Sequence, residues 1–234
     1  MGYRVFSAII DEIMEKVLFS WSTGKDSALA YNELQKRNEF EVVALTTTVT
    51  DDYDRVSMHG VRRELLHQQA AALSLPLREI GISKNASNDE YENKMQQVLV
   101  SAQAEGVTSV VFGDIFLEDL RKYREEKLAQ LGMRGIFPLW KRDTHELASE
   151  MINLGFKAIV TCVDTQVLGQ EFSGRLIDTQ FLHDLPEKID PCGENGEFHT
   201  FAYAGPIFRQ PIGFEVGEKV LRNDRFYYCD LKLV

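Results

Sequence analysis

The sequence predicts an α/β protein with a Rossmann-like parallel sheet, helices on both of its faces, and a smaller C-terminal α/β unit. Short apolar segments alternate with longer segments of helical periodicity from Lys16 to about Asp164, and this alternation is typical of βαβ units. Beyond that point the chain becomes rich in loops, Gly, Pro and aromatic residues. We therefore expect a first domain at residues 1–142 and a second at residues 143–234.

Each element follows from its local pattern. Apolar runs predict strands, and a period of 3.6 residues predicts helices. A short amphipathic helix is expected over Val5–Met14. In the first domain the strands are Lys16–Ser20, Glu41–Val49, Leu77–Ile80 and Thr108–Phe112, and the helices are Ser27–Arg37, Gly60–Leu73, Asp89–Glu105 and Leu117–Leu131. The second has helix Asp143–Leu154 and strands Phe156–Val163, Phe198–Tyr203 and Arg225–Leu233. Parallel sheets of this kind bind ligands at the carboxyl ends of their strands.

Charge and cysteine content disfavour several classes of function. The formal net charge is −10, so nucleic acid is an unfavourable partner because its phosphates would be repelled. The three cysteines lie far apart and form neither a disulfide framework nor a zinc pair, which indicates the reducing cytoplasm. No apolar stretch approaches the roughly 20 residues that span a membrane, and the N-terminus has no signal-peptide pattern.

The chemistry is expected at the polar segment Ser22–Ser27, which reads Ser-Thr-Gly-Lys-Asp-Ser and joins the first strand to the first helix. A Walker A loop would need a glycine where Phe19 stands, and a dinucleotide fingerprint would need three glycines where only Gly24 is present. What remains is anion capture, in which N–H groups at a helix N-terminus and small residues let a phosphate approach. An ordinary capped helix start is the alternative interpretation.

The side chains of this loop have distinct expected roles. Ser22 and Ser27 supply hydroxyl donors, and Lys25 adds a positive charge. Asp26 caps the helix or helps to hold Mg²⁺. Lys25 and Asp26 are therefore catalytic candidates, and Asp26 is the candidate metal ligand.

The loop resembles the SGGxDS loop of PP-loop ATP pyrophosphatases, in the adenine nucleotide alpha hydrolase superfamily, with Thr23 in place of the first glycine. Because a β-branched residue tolerates positive φ poorly, we expect the backbone at Thr23 to be either ordinary or strained. Further segments narrow the resemblance to the diphthine-ammonia ligase family, and this chain looks closest to its bacterial-type members. These segments are Thr46–Thr48 with Met58–Gly60, Val111–Ile115, Phe137–Trp140 and Cys192–Thr200.

Membership in this family implies an AMP-forming, ATP-dependent carboxylate–ammonia ligase. ATP would adenylate the carboxylate of an acceptor, which in the family is diphthine on translation elongation factor 2, and ammonia would then displace AMP. ATP, Mg²⁺ and ammonium are the implied ligands, and a homodimer is an open possibility. The implied nucleotide-binding residues are Ser20, Ser22, Thr23, Gly24, Lys25, Asp26, Ser27, Thr47, Met58, Gly113 and Asp114.

The segment Glu194–Thr200 is expected to handle the acceptor. Family members that act on diphthine resemble G-E-G-G-E-[YF]-E-T here, whereas this chain has Asn195 for a glycine and His199 for a glutamate, so its acceptor stays open. Because side chains alternate along a strand, Glu197 and His199 would share one face. Glu194, Glu197 and His199 are the catalytic candidates, with carboxylates that attract ammonium and His199 as acid or base. A structural turn with solvated acids is the alternative.

Two other functions stay open at this point: a PP-loop thiolation or RNA-modification enzyme, and a non-catalytic adenine nucleotide-binding protein. The first would need a basic surface and a reactive cysteine pair, yet Cys192 has no partner at a suitable spacing and has acids nearby. We expect Cys192 to be structural or to line the substrate site. The helix Glu118–Lys127 is expected to present mostly a solvated face. Within it Arg121 matches the family pattern and could reach inward to a carboxylate or phosphate, whereas Arg124 is out of register.

Overall fold

The structure is a computed structural model that describes residues 14–234, so the helix expected at Val5–Met14 lies outside the described residues except for Met14. The chain forms two sheets. The first contains β1 (Glu15–Ser20), β2 (Phe40–Thr50), β3 (Arg55–Val56), β4 (Leu77–Ile82), β5 (Ser109–Val111) and β6 (Arg134–Ile136). The second contains β7 (Lys157–Asp164), β8 (Phe198–Ala204), β9 (Phe214–Arg222) and β10 (Phe226–Leu233). The helices are α1 (Lys25–Gln35), α2 (Arg63–Leu73), α3 (Asn88–Ala104), α4 (Glu118–Ala129), α5 (Thr144–Asn153) and α6 (Thr179–Asp184).

The first sheet is the parallel sheet that the alternation predicted. Its parallel strands lie in the order β4-β2-β1-β5-β6, and β3 is a short antiparallel strand that pairs with the end of β2. The chain proceeds from β1 to β2 and β4 on one side, and then to β5 and β6 on the other. Loops that leave two strands at such a switch point diverge and open a crevice for a ligand. The crevice therefore lies where β1 and β5 end.

Helices cover both faces of the first sheet. Val17 and Phe19 of β1 belong to the same hydrophobic cluster as α1 and α2, whereas Leu18 packs with α3 and α4. The division follows from the alternation of side chains along a strand. All three side chains are wholly buried, as expected for a central parallel strand. No helix within residues 14–234 is long and apolar enough to cross a membrane.

The second sheet is antiparallel, with the strand order β8-β7-β10-β9. The strand expected at Phe156–Val163 is present as β7, but it pairs with β8 and β10 and does not extend the parallel sheet. Four elements were not predicted, namely β3, β6, β9 and α6. Of these, β3 and β6 have only two and three residues, and β9 is mostly exposed, so none of the three strands has a clear apolar periodicity.

The two sheets share one hydrophobic core around α1. This cluster joins Phe19 and Leu34 to Phe201 and Leu231 of the second sheet. Strand β8 also bonds directly to the loop that precedes α1, because the N–H of Ala202 donates to the carbonyl of Thr23 at 2.9 Å. The second sheet is thus held against the carboxyl-end loop of β1.

Candidate functional site

A cavity of about 670 Å³ opens at the switch point of the first sheet. Its volume is in the range of about 300–1,000 Å³ that is usual for small-molecule sites. The walls come from the loop after β1, the end of β2, the loop after β5 and the segment before β8. The predicted site residues that line it are Ser20, Ser22, Lys25, Asp26, Ser27, Thr47, Met58, Gly113, Asp114, Glu194 and His199, whereas Thr23, Gly24 and Glu197 do not.

The loop Ser22–Ser27 is ordered by its two serines. Their hydroxyl oxygens lie 2.8 Å apart, Ser27 Oγ accepts the N–H of Ser22 at 3.1 Å, and Ser22 Oγ accepts the N–H of Gly24 at 3.3 Å. Gly24 is the N-cap of α1, so Asp26 lies in the first turn and is not the cap. A helix N-terminus with two adjacent hydroxyls at a cavity wall is a suitable place for an anion.

The backbone at Thr23 is strained, which is one of the two conformations expected from the sequence. Its φ is 72°, in the left-handed region that favours glycine, and its side chain is fully buried. Within residues 14–234 its hydroxyl has no hydrogen-bond partner. Thr23 therefore shapes the loop through its backbone, and its hydroxyl is not directed into the cavity.

Lys25 and Asp26 form an ion pair beside the second sheet. Lys25 Nζ lies 2.8 Å from both carboxylate oxygens of Asp26 and also donates to the carbonyl of Cys192. Burial lowers the pKa of Lys25. The negative charge of Asp26, with a smaller contribution from Glu194, raises the pKa by more, so the pKa of Lys25 lies above its usual value. The ammonium group is charged, and it is held by Asp26 and Cys192 rather than free in the loop.

Gly113 allows the loop after β5 to lie against the start of α1. A Cβ atom at this position would stand 3.1 Å from the carbonyl carbon of Asp26 and from the nitrogen of Ser27. The role of Gly113 is therefore close approach of two backbones. Its neighbour Asp114 forms an ion pair with Arg124, with 2.9 Å between Oδ2 and Nε. Burial raises the pKa of Asp114, although Arg124 opposes that rise.

Arg121, which was expected to reach inward, lies elsewhere. Its guanidinium stacks 4.5 Å from the centre of the Trp140 ring and pairs with Glu125 on the same helix. Arg124 lines the cavity instead, with its guanidinium 4.3 Å from the centre of the Phe112 ring. The two arginines lie three residues apart on α4, and of the two only Arg124 lines the cavity.

Glu194 joins the turn before β8 to the loop after β5. Its Oε1 accepts the N–H of Ile115 at 2.7 Å. Burial, together with the charges of Asp26 and Asp114, raises the pKa of Glu194 to about 7. A carboxyl group with a pKa near neutrality can exchange a proton under physiological conditions, which is what acid–base catalysis requires.

Glu197 is placed differently from the expectation that it shares the cleft. Its buried carboxylate accepts the N–H of Asp190 at 3.2 Å, and the N–H and Nδ2 of Asn195 at 3.0 Å each. These bonds close the turn over residues 190–197. Strand β8 begins only at Phe198, so the alternation that would set Glu197 beside His199 does not apply. The described contacts of Glu197 are thus hydrogen bonds within this turn, and its catalytic role stays a prediction.

His199 stands beside His59, with 4.7 Å between the ring centres. His59 Nδ1 lies 3.1 Å from the carbonyl oxygen of Thr200, and since a carbonyl only accepts, Nδ1 carries the proton and Nε2 keeps its lone pair. Burial lowers the pKa of His59 to about 4 and that of His199 to about 3. Both rings are neutral near pH 7. Neither ring has an imidazolium proton to give there, and with a pKa of about 3 His199 is only a weak base.

Ser20, Thr47 and Met58 lie along the strand ends that border the cavity. The hydroxyl of Thr47 donates to the carbonyl of Trp21 at 2.8 Å, so this side chain orders the start of the loop. Thr46, which was not predicted, lines the cavity with a buried hydroxyl that lacks a partner within the described residues. Met58 has a positive φ of 66° and is 66% exposed, which puts it on the open side of the cavity.

Cys192 has the environment of an inert thiol. It is buried, its Sγ lies 3.4 Å from the carbonyl oxygen of Thr144, and burial raises the pKa of the thiol. A reactive cysteine would need a lowered pKa and access to solvent. This favours a structural role and removes support from the thiolation alternative.

Contributors to the site that were not among the predicted site residues include Thr46, Arg124, Thr200 and Gln69, and His59 of the segment Met58–Gly60 contributes as well. His59 and Thr200 lie inside segments that carry the family resemblance, so a signal was present for them. Thr200 Oγ1 accepts the N–H of Lys25 at 3.0 Å, 175 residues away along the chain. Gln69 lies within an ordinary helical pattern, and no local signal distinguishes it.

Comparison with known proteins assigns the family. The model of the diphthamide synthase N-terminal domain matches residues 15–135, and that of the diphthamide synthase C-terminal domain matches residues 143–233. The chain belongs to the diphthamide synthase family. This confirms the resemblance found from the short segments. Family membership makes the protein an ATP-dependent ligase and disfavours the thiolation and non-catalytic alternatives.

Relatives in this family are similar over most of the chain. The diphthine–ammonia ligase of Danio rerio is 30% identical over 226 residues, which cover 87% of this chain and 88% of that protein. The diphthine–ammonia ligase of Homo sapiens is 26% identical over 226 residues, which cover 86% and 84%. The diphthine–ammonia ligase of Schizosaccharomyces pombe is 26% identical over 237 residues, 93% of this chain but 39% of that longer protein.

Proposed function

We propose that this protein uses ATP to convert a carboxylate of its acceptor into an acyl adenylate, releases pyrophosphate, and then forms an amide with ammonia. The observation that carries this proposal is that the phosphate loop meets Glu194 and the two histidines in one cavity. The name of the relatives, diphthine–ammonia ligase, supports a diphthine-like carboxylate as acceptor and ammonia as nitrogen donor.

The residues of the cavity divide between the two steps. In the first, a carboxylate oxygen attacks the α-phosphorus, and the bond to the leaving pyrophosphate breaks. The hydroxyls of Ser22 and Ser27 and the N-terminus of α1 would bind that pyrophosphate. In the second, the ammonia nitrogen attacks the acyl carbon, the bond to AMP breaks, and the nitrogen loses a proton. Glu194, with a pKa of about 7, is placed to take that proton.

Mg²⁺ is part of the proposal, with Asp26 as the protein ligand. Burial raises the pKa of Asp26, with Lys25 opposing and Asp190 adding to that rise, so a further cation there would be favourable. No group of three or more His, Cys, Asp and Glu within residues 14–234 could hold a metal alone. This fits Mg²⁺, which proteins usually bind through one or two carboxylates together with substrate phosphates. When bound, the ion would neutralise charge on those phosphates.

We also assign ATP binding to residues 1–142 and acceptor binding to residues 143–234. The loop, Gly113 and Asp114 belong to the first range, and Glu194 and His199 to the second. The two ranges meet at strand β8, because Thr200 Oγ1 accepts the N–H of Lys25 in the first turn of α1.

The test is product analysis with ATP labelled at the α-phosphate, in the presence of Mg²⁺, a diphthine-like carboxylate and ammonium. We expect labelled AMP, and we expect its formation to require the carboxylate. Amide formation should require ammonium. ADP as the dominant labelled product would contradict the proposed reaction, and AMP formed without any carboxylate would contradict the role of the acceptor.

A further inference from the structure

Thr23 adopts a conformation that its own side chain does not stabilise. The left-handed backbone is unfavourable for a β-branched residue, and the buried hydroxyl has no partner within residues 14–234. Backbone strain of this kind persists only when the surroundings enforce it. The contacts that hold Thr23 are therefore of functional interest.

Gln69 of α2 supplies those contacts. Its Nε2 donates to the carbonyl of Thr23 at 3.0 Å and to that of Ala202 at 2.6 Å, and its Oε1 accepts Trp21 Nε1 at 2.8 Å. Trp21 and Thr23 flank Ser22, so one amide group fixes both sides of that loop serine. The N–H of Ala202 also donates to the Thr23 carbonyl, so α2 and β8 hold the same oxygen.

Core packing alone does not account for a glutamine at this position. Gln69 is fully buried, and its neighbours Leu65, Leu66, Ala70 and Leu73 on the same helix are buried and apolar. A buried amide costs free energy unless it is hydrogen-bonded, whereas an apolar side chain of similar size would carry no such cost. What the amide provides here is the set of bonds to the loop and to β8.

We infer that Gln69 is a positioning residue that keeps the phosphate loop in its ATP-binding conformation by fixing Thr23. The inference rests on the proposed use of this loop to bind the phosphates of ATP. Gln69 also links the loop before α1 to strand β8, because its amide group donates to the carbonyls of Thr23 and Ala202.

A double-mutant cycle on ATP affinity tests the inference, with Gln69→Met placed in the wild type and in Thr23→Gly. Methionine has a similar length and makes none of the three bonds. In the wild type we expect Gln69→Met to raise the Kd for ATP by about tenfold or more. In Thr23→Gly the same change should raise Kd by no more than about threefold, because glycine adopts positive φ without steric cost. Equal penalties in both backgrounds would overturn the inference, since a merely structural role does not depend on residue 23.

Arg62→Met is the matched control. Arg62 binds Asp230 of β10 through two bonds of 3.0 and 2.7 Å, so it also ties the start of α2 to the second sheet, but it does not line the cavity. We expect an unchanged Kd for ATP. A loss as large as that of Gln69→Met would overturn the inference in favour of general loosening. If thermal melting shows that Gln69→Met does not fold, Gln69→Asn, which withdraws the amide by one methylene, takes its place in the cycle. Absence of ATP binding by the wild type would overturn the proposed function as well.

Discussion

The phosphate loop and the segment before β8 line the same cavity but are built in opposite ways. The loop uses backbone N–H groups and hydroxyls, and its main contact joins Ser22 to Ser27, five residues apart. The segment before β8 and the strand itself make distant contacts: Glu194 accepts the N–H of Ile115 across 79 residues, and the carbonyl of Thr200 in β8 bonds to His59 across 141. The hydroxyl bonds of the nucleotide half are therefore local, although its backbone is held by Gln69 and β8, whereas the acceptor half gains its cavity contacts only in the folded protein.

The largest expected effect is at the loop. Asp26→Asn removes the carboxylate that pairs with Lys25 and that we propose as the Mg²⁺ ligand. We expect the rate of ATP cleavage to fall by about 100-fold or more. Asp143→Asn is the matched control, because Asp143 caps α5 and asparagine caps a helix equally well. A rate within about threefold of the wild type for Asp26→Asn would break the assignment of the loop as the catalytic half.

The acceptor half is tested by comparing Glu194→Gln with Glu197→Gln. The first removes a carboxylate with a pKa of about 7 from the cavity, and we expect amide formation to fall by at least about tenfold. ATP affinity should change less than about threefold, which is under about 1 kcal/mol.

Glu197→Gln weakens only the turn over residues 190–197, so we expect a lower melting temperature with a smaller loss of rate in the folded protein. If Glu197→Gln were the more damaging variant in amide formation at a temperature where both are folded, the assignment of Glu197 to the turn would be wrong.

Gly113→Ala is expected to have a moderate effect on the nucleotide half. The added Cβ would stand 3.1 Å from backbone atoms of Asp26 and Ser27, so the loop must shift. We expect the Kd for ATP to rise by about three- to tenfold, measured by titration calorimetry. Gly217→Ala is the control, because its Cβ would meet the side chains of Asp230 and Lys232 at similar distances. Equal ATP affinity in both variants would show that the close approach at Gly113 is not needed.

The pH dependence of the free energy of unfolding distinguishes the contribution of the two histidines from that of Glu194. The folded-state pKa values of His59, about 4, and His199, about 3, lie below the ordinary 6.5, so the unfolded chain binds protons first and stability is lost as pH falls below about 6.5. His199→Gln should reduce the loss of unfolding free energy between about pH 6.5 and 4.5 by about 1–2 kcal/mol.

Glu194 changes the pH dependence of stability in the opposite direction. Its folded pKa of about 7 lies above the ordinary 4.5, so its contribution is lost as pH rises from about 4.5 to 7. Glu194→Gln should therefore steepen the loss of stability in acid. Denaturant unfolding at several pH values measures the acid loss of stability in both variants. If His199→Gln and Glu194→Gln changed that loss in the same direction, the pKa shifts assigned to these two residues would be wrong.

Cys192→Ala is expected to have the smallest effect. The thiol is buried with a raised pKa and does not line the cavity, so kcat should stay within about twofold of the wild type. Loss of activity together with normal thermal stability would reopen a role for the thiol in the reaction.

Local patterns predicted the parallel sheet, its helices and the position of the loop, because each depends on residues close together in sequence. They did not predict that β7 pairs in the second sheet, because an apolar run indicates burial but not the neighbouring strand. The exposed strand β9 carries no such run.

The same limit applies within the site. The identities of Glu194 and His199 were accessible from the family resemblance, but the bonds that give them their pKa values were not. The partners of Glu197 are near in sequence, and the alternation along the strand did not apply to it because Glu197 precedes β8, which begins at Phe198 as predicted. Gln69 is a residue of an ordinary amphipathic helix until the fold brings Thr23 and Ala202 to it.

In the proposed reaction the two halves of the cavity cooperate to form an acyl adenylate, and the fate of the carboxylate oxygen is the decisive test. A diphthine-like acceptor with ¹⁸O in its carboxylate would be converted to the amide with ATP, Mg²⁺ and ammonium, and the AMP examined by mass spectrometry. Since the carboxylate oxygen that attacks the α-phosphorus stays with AMP when the amide forms, we predict one ¹⁸O atom in each AMP. AMP without ¹⁸O, formed in equal amount to the amide, would contradict the account.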